Sequence, residues 1–439
     1  MNVTSNNGPS VVLAAGLRSP WVRAGGVFRG ENAAHLGARL GRELLARTGV
    51  DPATLDEVIV GSVGPPHDQA NVARVIGLRA GVPWQVPART VARNCASGIE
   101  AVTTAISEIG SGQGSLYLCM GVEVMSGYPL LFGDKMTNLF AGLMKARSLP
   151  QTLGTMTKFR PSFLKPRVAL LEGLTDPTTG LIMGKTAEVL ARDFHISREE
   201  ADDFACQSHL KAKVARDKGR FKREILPHLP LRARKDKGSV QHDDGIRDDQ
   251  NMKSLGKLRP YFEKPDGIVT VGNSCGITDG ACALLITTEE KARELGLKPL
   301  AKIRSAAWAG LDPARMGLGP VFATAKALDQ AGCTMKDIGT VELNEAFAAQ
   351  VLACARAFDS AEFARKHLHR DQAVGELDLT KTNVNGGAIA LGHPVGATGA
   401  RLLLTTAHEM EVGNHELGLA TLCIGGGQGG AVILERMAA

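Results

Sequence analysis

Residues 90–101 read TVARNCASGIEA, and both the fold and the chemistry turn on them. An extended run, residues 86–91 (VPARTV), leads towards a lone cysteine, Cys95. Ala96, Ser97 and Gly98 follow, and then Ile99, Val102, Ala105, Ile106 and Ile109 recur at helical spacing. A strand that delivers a cysteine to a helix start is a nucleophile arrangement. Free backbone N–H groups and the positive end of the helix dipole favour a thiolate there. The small neighbours let a carbonyl group approach the backbone. The same stretch also fits a small buried hydrophobe, which most free cysteines are. What else the chain supplies must separate the two readings.

Outward from this stretch, strands alternate with helices. Residues 10–15 (SVVLAA) read as a strand, Arg18-Ser19-Pro20 turns the chain, and residues 33–48 carry an amphipathic helical pattern closed by Gly49. Residues 56–60 and 117–122 are further strands. The alternation predicts a layered α/β fold. A helix, a glycine and an apolar strand recur in that order near residues 323–345. The run around Cys95 is echoed by residues 385–408 followed by 418–423. Two related α/β halves, residues 1–126 with 273–298 and residues 299–439, are the economical reading.

Residues 127–272 form an excursion between the halves. From Lys135 to Leu171 there are seven basic residues and no acid, interleaved with apolar ones such as Met136, Phe140, Leu149 and Phe163. The pattern reads first as a solvated, basic-faced helical cover over the active site; the alternative is a surface that meets a membrane or a partner. Two helices follow, the second opened by Ser197 with Glu200 three residues on, a capping box. Residues 232–257 are polar and charged and read as surface loop.

Composition sets wide bounds. The 439 residues suffice for two or three structural units. Hydrophobic residues make up 44% and aromatics only 4%, which excludes wholesale disorder and disfavours a stacking platform for nucleic acid. A net charge of +6 is modest for this length and does not point to DNA. The eight cysteines are scattered without a CxxC pair, so neither a zinc site nor a disulfide scaffold is expected. No apolar run reaches the ~18 residues of a membrane span, and the N-terminus lacks a charged region before its apolar stretch. The expected location is the cytoplasm.

Three more stretches carry chemistry. Asn344 stands in VELNEAFAAQ, just past a short apolar strand; buried asparagines are usually structural. His393 lies in NGGAIALGHPVGATGAR, where five glycines and Pro394 crowd one imidazole, as for backbone held against a ligand. Cys423 lies in ATLCIGGGQGG, a second cysteine at the end of an apolar strand, and its glycine run lacks the P-loop lysine.

Taken together, NCASG, NEAF, GHPVGATG and CIGGGQG, in this order, closely resemble the thiolases over nearly the whole chain. The resemblance implies two βαβαβαββ halves in a five-layered αβαβα unit with an inserted, mostly helical loop domain at 127–272. It implies coenzyme A as co-substrate, no metal and no permanently bound cofactor, and a homodimer or dimer of dimers. By the same resemblance, Cys95 is the acylated nucleophile, His393 its base and Cys423 the second acid/base. Asn344 and the backbone at Gly425 would complete two oxyanion holes, and Met183, Met316 and Phe347 would line the acyl pocket. Two departures stand out. Cys275, in VTVGNSCGITDG, replaces the family's usual serine close to the pantetheine. The basic segment 135–171 looks like the β subunits of fatty-acid oxidation complexes, which meet an α subunit or a membrane there. Ketoacyl synthases carry a histidine in place of Asn344, and sterol-carrier-type thiolases replace NEAF with an HDCF-like tetrapeptide. The expected activity is CoA-dependent cleavage of 3-ketoacyl-CoA. The alternatives are acetoacetyl-CoA chemistry alone and, from another class, a non-catalytic acyl-CoA-binding scaffold.

Overall fold

A computed structural model describes residues 8–231 and 238–437. Twelve strands appear among them: β1 (Val11–Arg18), β2 (Val22–Arg23), β3 (Glu57–Gly61), β4 (Ala88–Val91), β5 (Leu116–Val124), β6 (Leu130–Leu131), β7 (Arg167–Val168), β8 (Thr278–Thr288), β9 (Ala301–Gly310), β10 (Ile338–Leu343), β11 (Leu417–Ile424) and β12 (Gln428–Glu435). β6 and β7 pair only with each other; the other ten form one sheet in the order β10-β11-β12-β9-β1-β8-β5-β3-β4, with β2 beside β8. β3 is parallel to β4 and β5, and β10 to β11; the remaining pairings are antiparallel. The two parts of the sheet meet through Val12 opposite Lys302 and Leu13 opposite Ala301.

The strands read as near-continuous apolar runs because both of their faces are buried. Val58, Val60, Leu118, Met120 and Leu285 face the helices Ala33–Thr48 and Val72–Ala80. Their neighbours Ile59, Cys119, Leu284 and Ile286 face a central pair of helices, Ser97–Gly110 and Val395–Gly413. Leu422, Ile424 and Val432 of the second sheet part pack in that same core. Val341, Leu343, Leu419 and Ile433 turn the other way, towards the helices Gly319–Ala331 and Ala348–Phe358. Helix, sheet, helix pair, sheet, helix gives the five layers that the resemblance implied.

The central helices start side by side. A Cβ on Gly98 would lie 2.6 Å from the Ala400 nitrogen, and one on Gly399 2.8 Å from the Ile99 nitrogen. Backbone meets backbone there, and only glycine permits it.

Most expected elements appear with small changes of boundary. The helix Ala33–Thr48 ends on Gly49 at φ 68, and the Ser197 capping box opens Arg198–Asp217. Two expectations need correction. Arg18 does not open a turn: it ends β1 fully buried, its guanidinium paired bidentately with Asp243 at 2.7 and 2.9 Å and with Glu224 at 3.2 Å. Nor are residues 232–257 all surface loop. Asp243 is buried because Arg18 needs its charge, and Met252–Gly256 is a short helix. Residues 232–237 of that stretch lie outside the described ones, as does the start of the N-terminal segment, residues 1–7. In the basic segment, the helices Asp134–Lys145 and Leu149–Met156 bury only Met136 and Leu139. Among the described residues no helix is long and apolar enough to cross a membrane.

Gly98→Val tests the central contact. Forcing the two backbones apart is expected to lower the unfolding free energy by about 1–3 kcal/mol or more, read as a lower urea midpoint. An unchanged midpoint would show that the helices are free to separate.

Candidate active site

The contact between the central helices places two loops face to face. Cys95 stands two residues before Ser97, and His393 two residues before Val395. The Cys95 turn is held from both sides. Asn94 sits in the left-handed region at φ 43, and its Nδ2 donates to the Gly425 carbonyl at 2.7 Å. The Arg93 amide donates to the Ser97 hydroxyl at 2.9 Å, which donates to the Asn94 carbonyl at 2.7 Å. A side chain held at positive φ costs of order 1 kcal/mol, so the surrounding bonds must over-determine the turn.

A cavity of about 360 Å³ opens in front of this turn. Cys95, Met183, Cys275, Met316, Phe347, His393, Cys423 and Gly425 all line it. Asn344 does not: it is fully buried and not among the lining residues, although Ala346 and Phe347, two and three positions on, are. Its side-chain Nδ2 and Oδ1 have no protein partner, an arrangement that costs about 1–3 kcal/mol per group unless water or ligand meets it. Met183, Met316 and Phe347 belong to one apolar cluster with Cys423, and Phe262 packs edge-on against Phe347 at 6.1 Å. The glycine run after Cys423 turns β11 into β12 with Gly426 and Gly427 at φ 89 and 78. Of the basic segment 135–171, only Leu170 lines the cavity; the covering residues are the next ones, Gly173 to Thr178.

The His393 ring has a defined tautomer. Nδ1 lies 2.6 Å from the Thr398 hydroxyl, which itself donates to the Pro394 carbonyl at 3.3 Å. Nδ1 therefore carries the proton, and Nε2, which has no protein partner, keeps its lone pair. Burial, helped by the charge of Arg401, lowers the imidazole pKa to about 4, so the ring is neutral near pH 7. Its backbone amide donates to the Thr278 hydroxyl at 3.2 Å.

The thiols differ from the expectation that the helix start favours a thiolate. Burial raises the pKa of Cys95, and the backbone amides of Gly425 and Cys95 only partly offset it. Burial lifts Cys275 to about 12 and Cys423 well above the ordinary thiol range. Desolvation outweighs the dipole, and the resting pair is thiol plus neutral imidazole.

Several positioning residues escape a reading of the motifs. Glu123, buried at the end of β5, accepts from the amides of Val63, Gly64 and Gly396 at 3.0 Å each and from the Tyr128 hydroxyl at 3.0 Å. It ties the β3 end to the His393 loop. Glu345 accepts from Ser208 at 2.6 Å, Asn383 at 2.8 Å and the Ile389 amide at 3.3 Å, fixing the Asn344 loop. A carboxylate closing an apolar strand was the available signal for Glu123.

The chain matches the models for the thiolase N-terminal domain over residues 11–290 and the thiolase C-terminal domain over residues 297–436. It belongs to the thiolase family. A 3-ketoacyl-CoA thiolase of Aeromonas salmonicida is 38% identical over 99% of both chains. The mitochondrial trifunctional enzyme subunit beta of Bos taurus is 39% identical over 97% of this chain and 88% of its own length. Among solved structures, human mitochondrial 3-ketoacyl-CoA thiolase in complex with CoA superposes with a TM-score of 0.84 at 36% identity, covering 98% of each chain. The Bacillus anthracis acetyl-CoA acetyltransferase gives a TM-score of 0.85 at 35% identity, covering 99% and 100%.

The raised thiol pKa of this thiolase has a measurable sign. Iodoacetamide alkylation of Cys95 is expected to rise ~10-fold per pH unit from pH 7 to 9, because the thiolate fraction is still growing there. A rate that is level below pH 7 would mean a preformed thiolate–imidazolium pair.

Proposed function

We propose that the chain cleaves 3-ketoacyl-CoA with coenzyme A to acetyl-CoA and a shortened acyl-CoA, reversibly, through an acyl group on Cys95. The observation that carries this reading is one cavity lined by three thiols, Cys95 and Cys423 from two of the motifs and Cys275 beside them, with the free Nε2 of a neutral His393. A single nucleophile would serve acyl transfer; making and breaking a carbon–carbon bond also needs an acid/base for the enolate carbon.

Substrate entry starts the sequence. His393 Nε2 takes the Cys95 proton and the sulfur attacks the 3-keto carbon. The C2–C3 bond breaks, its electron pair forms the enolate of acetyl-CoA, and Cys423 protonates C2; the His393 imidazolium then returns its proton to the Cys423 thiolate, which leaves the imidazole neutral again. The acyl group stays on Cys95 until the thiol of a second CoA, giving its proton to His393, attacks it; the C–S bond to Cys95 breaks and the departing Cys95 thiolate takes that proton back. The amides of Cys95 and Gly425 receive the thioester oxygen at Cys95. His393 and a water on the unpartnered Asn344 amide receive the enolate oxygen. Loss of one such donor typically costs ~10²–10³ in rate. Met183, Met316 and Phe347 take the acyl chain.

The rest of the proposal is coarser. Residues 1–126 with 273–298 and residues 299–439 form the two catalytic halves, with 127–272 inserted, and the chain works as a cytoplasmic homodimer or dimer of dimers. An α subunit carrying hydratase and dehydrogenase activities docks on the basic segment 135–171. Phe140, Met144, Leu149, Leu153 and Leu164 are exposed there, and the bovine relative is by name a subunit.

Side-by-side thiolysis of acetoacetyl-CoA and a long-chain 3-ketoacyl-CoA tests the substrate: cleavage of the long substrate is expected, and activity on acetoacetyl-CoA alone would make the chain an acetyltransferase. Cys95→Ala is expected to abolish thiolysis while keeping CoA binding. Cys423→Ser is expected to accept an acyl group on Cys95 but to lose α-proton exchange of acetyl-CoA. Normal exchange in that variant would move the acid/base role to another group.

A further inference from the structure

Glu31, His35 and His228 converge far along the chain from one another's neighbours and take no part in the reaction above. None of them lines the cavity that holds Cys95. Glu31 directly precedes the N-cap Asn32 of the helix Ala33–Thr48, and His35 stands one turn on, so the two share a helix face. His228 arrives from the end of the excursion, where its amide and carbonyl bond to Val240 at 2.9 and 2.8 Å.

Each imidazole meets a different oxygen of the same carboxylate. His35 Nδ1 lies 3.1 Å from one Glu31 oxygen, and His228 Nε2 lies 3.1 Å from the other. One ligand atom from each residue falls within 4.8 Å of the other two. Glu31 and His228 are buried, whereas the His35 side chain is 36% exposed, which leaves an entry path. The Leu231 amide donates to Glu31 at 2.7 Å and orients the carboxylate. Phe28 packs edge-on against the His228 ring at 5.0 Å and fixes its plane.

We infer that Glu31, His35 and His228 form a binding site for one divalent transition-metal ion of the zinc type, with water as fourth ligand on the His35 side. Metal bonds of about 2.0–2.1 Å put tetrahedral ligand atoms roughly 3.3 Å apart; each imidazole stands 3.1 Å from its own Glu31 oxygen and the three ligand atoms lie within 4.8 Å, so binding requires a small closure of the set. Two imidazoles with one carboxylate suit zinc, cobalt or iron and disfavour magnesium and calcium. In the metal-bound form each imidazole would offer the lone pair of the nitrogen that faces Glu31. The Leu231 amide and Phe28 act as the outer shell that such sites need. The ion would clamp the end of the excursion to the first helix, a structural role. The scattered cysteines gave no hint of it, because its ligands are 193 positions apart between His35 and His228 and contain no sulfur.

The test uses purified, metal-stripped, tag-free protein and cobalt(II) alone, followed by zinc. One equivalent of cobalt is expected to give visible d–d bands without thiolate charge-transfer absorption, to be displaced by zinc, and zinc is expected to raise Tm. His35→Ala and His228→Gln are each expected to weaken zinc by more than the ~10–100-fold typical of an outer-shell loss, and His35→Ala to leave thiolysis unchanged. No equimolar uptake, uptake retained in both variants, or a thiolate charge-transfer band placing the ion at the cysteines would each overturn the proposal.

Discussion

The structure depends on one contact, the crossing of two helix starts at Gly98 and Gly399. Backbone touches backbone there because neither residue has a side chain to hold the helices apart. The loops just before the two helices carry Cys95 and His393, so the distance between nucleophile and base is set by packing in the central layer. The sheet accommodates the same contact. A Cβ on Gly121 at the middle of β5 would lie 2.3 Å from the Gly396 carbonyl, and one on Gly61 at the end of β3 2.2 Å from that of Ser97. Glycine is thus concentrated where layers meet above the strand ends, and the buried Glu123 carboxylate gathers the amides that this close packing leaves over.

Charge is scarce around the reacting groups. Burial moves His393 down and the cavity's thiols up, so each group rests uncharged. An ion pair in such surroundings would carry a desolvation cost that only good geometry repays. Charge belongs to the reaction intermediates, and in the proposed reaction the amides of Cys95 and Gly425 would meet it. Preorganised donors of that kind stabilise developing charge without reorganising.

Much of this was legible from residues alone. Strands with two buried faces announce themselves as apolar runs, and the helix Ala33–Thr48 declared both of its ends, through Asn32 and Gly49. Three of the four motifs carry Cys95, His393 and Cys423, side chains that the fold brings to one cavity, and the glycines around them were the legible signal. What sequence hid was long-range. Arg18 read as a turn residue because its partners, Asp243 and Glu224, lie more than 200 positions away. The thiolate expectation failed for a related reason: a helix start is a local feature, whereas desolvation is a sum over layers that only the folded chain assembles. The basic stretch 135–171 looked like the active-site lid, yet the lining passes to the residues just after it.

The repeated architecture also bears on how asymmetry arises. Cys95 and His393 occupy corresponding places, each two residues ahead of a central helix, in halves built to the same plan. Were those halves separate, identical subunits related by a twofold axis, the same residue would stand at both places, giving two thiols or two imidazoles. Joining them in one polypeptide frees the two positions to differ. A thiol at one place and an imidazole at the other is therefore a property of the fused chain, available to a pseudo-symmetric fold and closed to a strictly symmetric one.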